Sequence, residues 1–299
     1  MMNELIIDAP CKINLHLRVL GKRDDGFHDL ESIFMALDFG DTLGFTVLDT
    51  DGDCEINMDG TVPREKNLVF KAVSLFREYT GFSESVSIDI QKNIPFGAGL
   101  GGGSSDAAST LKALNVLGNY KLKHEELHNL ALTLGSDVPF FLNPGTAFVS
   151  GRGEKIESVH TPDGLYVVLV NQGFASSTAE AFRLLDERGD FDSATSKHQI
   201  IDALTADPSD WPYRNDFLPA FLSNPKGKEA EKKAYRDILQ TLKDAGSSFS
   251  GLSGSGSTCF GVFKDQGTAE KAVKSFEFAG NFAKLTIPLA RRGIPVLEY

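Results

Sequence analysis

Residues Pro95-Phe-Gly-Ala-Gly-Leu-Gly-Gly-Gly-Ser-Ser-Asp106 constrain this 299-residue chain more than any other segment. Five glycines, Gly97, Gly99, Gly101, Gly102 and Gly103, fall within seven positions. The residues that follow, Ala107, Ala108, Leu111, Leu114 and Leu117, repeat with a helical period. Glycine lets backbone N–H groups approach an anion closely, and a helix start adds roughly half a positive charge. A phosphate or polyphosphate is therefore the natural occupant, with Ser104 or Ser105 expected to cap the helix. Four readings compete. A Walker A loop fails, since no Gly-Lys-Ser/Thr follows at the required spacing. Gly97, Gly99 and Gly102 formally match the dinucleotide fingerprint G-x-G-x-x-G. Residues 86–90 before them, however, alternate as a half-exposed strand rather than a buried parallel one. A flexible linker or tight turn is the bland alternative. A non-Walker nucleotide-phosphate loop is the reading that uses both the glycines and the helix start.

The rest of the composition bounds what such a loop can serve. Apolar residues make up 41% and charged residues 24%, enough for a globular core, and the length suggests two domains. The net charge of −11 argues against nucleic acid or an anionic membrane surface as partner, and no obligatory protein partner is evident. A local positive site on a negative protein still suits an anionic small molecule. Cys11, Cys54 and Cys259 show no C-x-x-C spacing, which points away from a disulfide framework or a zinc knuckle. The N-terminal residues lack the basic patch and long apolar run of a signal peptide. Residues 165–170 form the longest candidate apolar run elsewhere, too short to span a bilayer, so the cytoplasm is the expected location.

Along the chain, residues 15–20, 43–48, 54–58 and 86–90 read as strands. Asn67 caps a helix whose apolar face is Leu68, Ala72, Leu75, Phe76 and Tyr79. Another helix spans about 125–134 and stops at Gly135, after which Ser136-Asp137-Val-Pro139 restarts the chain. Residues 186–228 are polar, broken by Pro and Asp, and read as a domain junction or a surface insert. The remainder reads helix (229–245), strand (248–252), strand (258–263), helix (268–276), strand (282–288), a split βαβ arrangement. Alone, Gly251-Leu-Ser-Gly-Ser-Gly-Ser257 between two of these strands reads as a hairpin turn. Paired with the first loop, it makes a second backbone nest able to hold a triphosphate from the other side. Lys12 and Asn14 lie two apart on an early strand and project from one face. A strand lysine is usually a solvated edge group and an acid at the Asp137 position is usually a cap, so neither carries a catalytic reading by itself. His124 and His128 are spaced i, i+4 on a polar face, and no histidine shows metal-ligand spacing.

Together, three segments resemble the GHMP kinase superfamily: the strand with Pro10, Lys12 and Asn14, the loop Pro95–Ser105, and the late Ser253-Gly-Ser-Gly256. Within that superfamily, five stretches resemble the branch that phosphorylates 4-diphosphocytidyl-2-C-methyl-D-erythritol in non-mevalonate isoprenoid synthesis. They are Lys12-Ile-Asn-Leu-His-Leu17, Gly26-Phe-His28, Leu37-Asp-Phe-Gly-Asp-Thr42, Gly101-Gly-Gly-Ser-Ser105 and Leu134-Gly-Ser-Asp-Val-Pro139. The likeness is good over about 8–160, moderate over 245–263 and weak over 183–244. It implies an α+β, two-domain GHMP kinase fold, with an N-terminal domain (1–158) carrying the ATP phosphate loop and a ferredoxin-like C-terminal domain (159–299). It implies Asp137 as catalytic base with Lys12 as its positive neighbour. ATP would lie against Asn67, Pro95, Gly97, Gly99, Leu100, Gly101, Gly102, Gly103, Ser104 and Ser105, with Mg2+ neutralising its phosphates. The cytidine diphosphate substrate would lie against Asn14, Phe27, His28, Thr178 and Phe182, its cytosine between the two phenylalanines. Phe27 stands where tyrosine is more usual, which keeps a stacking face and drops a hydroxyl; Cys11 replaces a more usual small residue. A homoserine- or mevalonate-type kinase, or a non-catalytic nucleotide sensor on the same fold, are the alternatives, and the presence of both Lys12 and Asp137 speaks against the sensor.

Overall fold

A computed structural model of the chain describes residues 3–60, 62–174, 176–189, 191 and 196–290. In chain order the elements are β1 (Glu4–Lys22), β2 (His28–Asp51), β3 (Cys54–Met58), α1 (Leu68–Thr80), β4 (Glu84–Gln91), α2 (Gly102–Leu117) and α3 (His124–Leu134). They continue with β5 (Thr146–Gly151), β6 (Lys155–Val159), β7 (Tyr166–Asn171), α4 (Thr178–Arg188), α5 (Lys197–Asp202), α6 (Phe217–Ser223) and α7 (Glu229–Asp244). The last are β8 (Phe249–Leu252), β9 (Cys259–Phe263), α8 (Gln266–Phe278) and β10 (Phe282–Thr286). Among the described residues no helix is long and apolar enough to cross a membrane. Part of the polar stretch read as a junction or insert (190 and 192–195) lies outside the described residues; the rest of it forms the end of α4, α5, α6 and the turns around them.

The chain folds into two compact units, each drawn from several segments. The first comprises Met1–Cys11, Phe39–Ile94 and Gly101–Pro144. Here the second half of β2 pairs antiparallel with β4, Thr42 opposite Gln91 and Phe45 opposite Ile88, and β4 pairs parallel with β3. The alternation of Val86, Ile88 and Ile90 with Ser87 and Asp89 puts the three apolar side chains into the core. α1, α2 and α3 pack on one another. α1 begins where the Asn67 side chain accepts from the Val69 amide at 2.9 Å, as expected, and ends at Gly81 in the left-handed region. α2 is small-residue-rich, with Ala107, Ala108, Ala113, Ser105 and Ser109 all buried, so its neighbours approach closely. Its start differs from expectation. Gly101, left-handed at φ 74°, takes the N-cap position with no side-chain cap, so Ser104 and Ser105 fall inside the helix, Ser105 with its side chain buried.

The second unit comprises Lys12–Asp38, Pro95–Leu100 and Gly145–Tyr299. The first half of β2 pairs antiparallel with β5, and β5 with β6. A separate antiparallel sheet runs in the order β10-β7-β9-β8. That order, with a helix between β9 and β10 and helices between β7 and β8, is the expected ferredoxin-like split βαβ layer. Its helices bury Ala181, Leu185, Ile238, Leu242, Ala269, Ala272 and Phe276 against Val168, Val170, Cys259 and Phe263 of the sheet.

Candidate active site

In the first unit, Asn67 does more than cap α1. Its Nδ2 lies 3.7 Å from the Met58 Sδ, and the residue lines a cavity of about 590 Å³ with Cys54, Met58, Arg64, Phe70 and Ser87. Arg64 lies over the Phe70 ring at 4.3 Å and pairs with Asp53 at 3.0 Å, which fixes one wall. Apolar Ile56, Met58, Val86 and Phe70 with the Asn67 amide, two serine hydroxyls and the charged Asp53, Glu55 and Arg64 at the walls suit a flat heteroaromatic base.

The α2 half of the glycine loop follows. Gly101 to Ser105 form the helix start, where the leading amides have no intrahelical acceptor and face an anion favourably. The Ser105 Oγ, the Ser109 Oγ and the Asp106 Oδ1 are buried with no hydrogen-bond partner among the described residues. Asp106 shares Lys92 with Asp41. Burial, uncompensated by a full positive charge of its own, pushes its carboxyl up to about 7. Burial lowers Lys92, but the two carboxylates outweigh it and its pKa is raised overall.

Asp137 stands at the N-cap position of a 3-10 turn (Val138–Leu142) and makes no side-chain capping bond, so the ordinary role of an acid at a helix start is not the one it fills. Its backbone is anchored by the turn it opens, in which Val138, Pro139, Phe140, Phe141 and Leu142 are all buried. Lys112 of α2 donates to the Phe141 carbonyl at 3.1 Å, and its burial lowers its pKa to about 8.

The second unit holds the other half of the loop, Pro95–Leu100, and locks it against the second glycine segment. Ser253 Oγ donates to the Gly99 carbonyl at 2.9 Å and Thr258 N to the Ala98 carbonyl at 3.1 Å. A Cβ added to Gly99 would lie 2.2 Å from the Ser253 carbonyl oxygen and 2.8 Å from that of Gly256. Only glycine fits there. The segment is thus a hairpin connection between β8 and β9 and also a partner of the first loop. Lys12 N donates to the Leu100 carbonyl at 2.9 Å, tying β1 to the same place.

Lys12 and Asn14 do share a face of β1, and Lys12 Nζ donates to the Asn14 Oδ1 at 2.6 Å while lying 4.5 Å over the Phe34 ring. Asn14 Nδ2 donates to the Ser32 Oγ at 3.0 Å. Farther along, Arg18 pairs with Glu31 at 3.0 Å in a buried setting. This polar face is covered, not solvated, which is why a lysine on it is no ordinary edge group.

His28 is buried, and its Nε2 lies 2.6 Å from the Asp186 carboxylate, which Lys22 also holds at 2.8 Å. The Lys22 hydrogen bond first, and His28 second, lower the Asp186 pKa. Phe182 stacks on the His28 ring with centroids 4.5 Å apart and meets Phe217 edge-on at 5.0 Å. Phe27, 49% exposed, has its ring under the Arg152 guanidinium at 4.9 Å. Thr178, four residues before Phe182 on α4, shares a hydrogen bond with the Ser255 hydroxyl at 2.9 Å. Sequence reasoning did not single out Asp186, Lys22 or Lys92, and it quoted Asp41, Asp106 and Ser255 only within longer motifs, with no role of their own. Asp186 carried a signal, since it lies one helical turn beyond Phe182 and so shares its side of α4.

Two family models match the chain: the N-terminal domain of the GHMP kinases over residues 67–145 and the C-terminal domain of the GHMP kinases over 218–281. The chain is 38% identical over 275 residues to the 4-diphosphocytidyl-2-C-methyl-D-erythritol kinase of Thermodesulfovibrio yellowstonii, covering 91% of this chain and 94% of that one. It is also 38% identical to the enzyme of the same name from Chlorobium phaeobacteroides, over 92% of this chain and 94% of that one. A solved 4-(cytidine 5'-diphospho)-2C-methyl-D-erythritol kinase superposes with a TM-score of 0.79 at 32% identity, covering 96% of this chain and all of the other. Homoserine kinase from Cytophaga hutchinsonii superposes at 0.69 with 18% identity, over 98% and 97% of the two chains, a likeness of fold alone.

Proposed function

We propose, from the premise that this chain belongs to the GHMP kinases and within them to the 4-diphosphocytidyl-2-C-methyl-D-erythritol kinase family, that it moves the γ-phosphoryl group of ATP onto the 2-hydroxyl of 4-diphosphocytidyl-2-C-methyl-D-erythritol, a step of isoprenoid precursor synthesis. The observation that carries this reading is the likeness to kinases of that name over nine-tenths of the chain, at 38% identity over 91% of it. The division into an N-terminal domain (1–158) and a C-terminal domain (159–299) belongs to the same proposal, and the two family matches, 67–145 and 218–281, support it by falling on either side of the boundary.

In this reading the cavity beside Asn67 takes the adenine, and the loop from Pro95 to Ser105 takes the phosphates on its backbone amides. Asp137 accepts the hydroxyl proton as the new O–P bond forms and the bond from the γ-phosphorus to the departing ADP oxygen breaks. Lys12 supplies positive charge for the developing alkoxide. Mg2+ supplies charge neutralisation on the nucleotide phosphates. It is usually held by those phosphates with one or two protein oxygens, and the orphaned hydroxyl of Ser105, with Ser104 beside it, fits that need. Among the described residues no group of three or more His, Cys, Asp or Glu could cage it.

Phe27 and Phe182 offer flat faces to the cytosine, and the Asp186 bond at Nε2 leaves the Nδ1 of His28 for a ligand. Stacking is worth about 1–3 kcal/mol per base, so Phe182→Ala should raise KM for the cytidine substrate by roughly 5- to 150-fold with KM for ATP little changed. Equal losses for both substrates would remove Phe182 from the cytosine pocket.

The test of the function is coupled ADP release with 4-diphosphocytidyl-2-C-methyl-D-erythritol as acceptor and homoserine and mevalonate as controls. Release with the cytidine compound alone is the expected outcome. Release with a control instead would keep the phosphoryl transfer and discard the substrate.

A further inference from the structure

Asp41 is fully buried, and every oxygen of its carboxylate is committed. Its Oδ1 accepts the backbone amides of Asn93 at 2.6 Å and Ile94 at 2.9 Å. Its Oδ2 accepts from Lys92, whose Nζ also donates to the Asp106 Oδ2 at 2.8 Å. Asn93 Nδ2 closes the arrangement by donating to the Gly40 carbonyl at 2.8 Å. A charge-assisted set of this kind is short and stiff. The residues it grips, Lys92 by its side chain and Asn93 and Ile94 by their amides, are the last before the glycine loop. Asp106 is the fifth residue of α2, just past the loop's other end. A second contact joins the same two ends. A Cβ on Gly102 would lie 3.1 Å from Ile94 Cγ2 and 3.4 Å from the Asp41 Oδ2, so the first residue of α2 sits against both.

We propose that Asp41 is a positioning residue for nucleotide phosphate: through the 93–94 amides and through the Lys92–Asp106 link it holds the entry of the glycine loop and the N-terminal turn of α2 at a fixed separation, so that the α2 amides converge on one anion. This inference rests on the nucleotide reading of the loop. Two carboxylates around one ammonium leave a net negative charge in the core, which a core built for stability alone would avoid. The positive end of α2 is the feature that offsets it. The device therefore couples the helix start electrostatically as well as sterically to the strand end.

The test uses two variants of the full chain and two probes, ADP and adenosine, measured by titration calorimetry. The double variant Lys92→Met/Asp106→Asn cuts the link by removing the ammonium and one carboxyl together, with Asp41 still holding its two amides. ADP affinity is expected to fall at least about tenfold while adenosine, which has no phosphate to position, stays within about twofold. Asp41→Asn, which loosens the grip on residues 92–94, should show the same split. A merely structural role would weaken both probes together. That outcome, or unchanged ADP affinity in either folded variant, overturns the inference. Should the unaltered protein itself bind no ADP, the nucleotide reading falls, and this inference with it.

Discussion

Replacing Asp137 with asparagine is expected to lower kcat by about 10²- to 10⁴-fold while ADP affinity changes by less than about twofold. Asparagine has the shape of aspartate and retains an acceptor oxygen, but it cannot take up a proton. The loss therefore isolates proton acceptance from the placing of the side chain. The surroundings favour a clean substitution. Asp137 is half-buried, its side chain caps nothing, and the turn that follows it is held by the buried Phe140 and Phe141 and by the Lys112 bond to the Phe141 carbonyl. Those contacts hold the turn whether residue 137 is aspartate or asparagine, so the variant should fold. The assay is coupled ADP release at saturating acceptor, with calorimetric titration of ADP alongside. A variant that turns over near the wild-type rate would show that phosphoryl transfer here proceeds by positioning and charge neutralisation without Asp137 as base, which a loose transition state permits.

Why these roles were partly legible in the sequence is a matter of range. Local chemistry was readable: the Asn67 cap, the helical period from Ala107 to Leu117, the alternation of Val86, Ile88 and Ile90, and the order of elements after Glu229 all follow from spacings of a few residues. The strand bearing Lys12 and Asn14 was found but its setting was not. Alternation of polar and apolar residues reads as one wet face, whereas Lys12, Asn14, His16 and Arg18 are all buried, the last against Glu31. Sequence pattern registers polarity; it cannot register a partner that covers it. The serine cap failed for a related reason, since a left-handed Gly101 starts α2 one turn earlier than the serines would. The extent of β2 was missed because it changes neighbours along its length, pairing with β5 in its first half and β4 in its second, so no single alternation runs through it. Pairs such as His28 with Asp186, or Asn215 with the Leu252 and Gly254 carbonyls, join residues far apart in the chain, and no short spacing announces them.

Gly99→Ala should be the most damaging single-methyl change in the second unit, costing at least about tenfold in ADP affinity and several degrees of melting temperature. Two costs combine. A left-handed residue other than glycine is strained by roughly 1–2 kcal/mol, and Gly99 sits at φ 77°. The larger cost is steric. The new methyl would lie 2.2 Å from the Ser253 carbonyl oxygen and 2.8 Å from that of Gly256, and both are backbone atoms with no rotamer to escape into. One glycine segment must then back away from the other, breaking the Ser253 Oγ bond to the Gly99 carbonyl and spreading the amides that the proposed function closes on phosphate. Gly164→Ala separates the two costs, since Gly164 has φ 69° and a Cβ there would meet nothing within 4 Å. That variant should lose roughly 1–2 kcal/mol of stability, about 2–8 °C in melting temperature, and bind ADP normally. If Gly99→Ala behaves like Gly164→Ala, with strain but intact ADP binding, then the interlock of the two glycine segments serves the fold and does not shape the phosphate site.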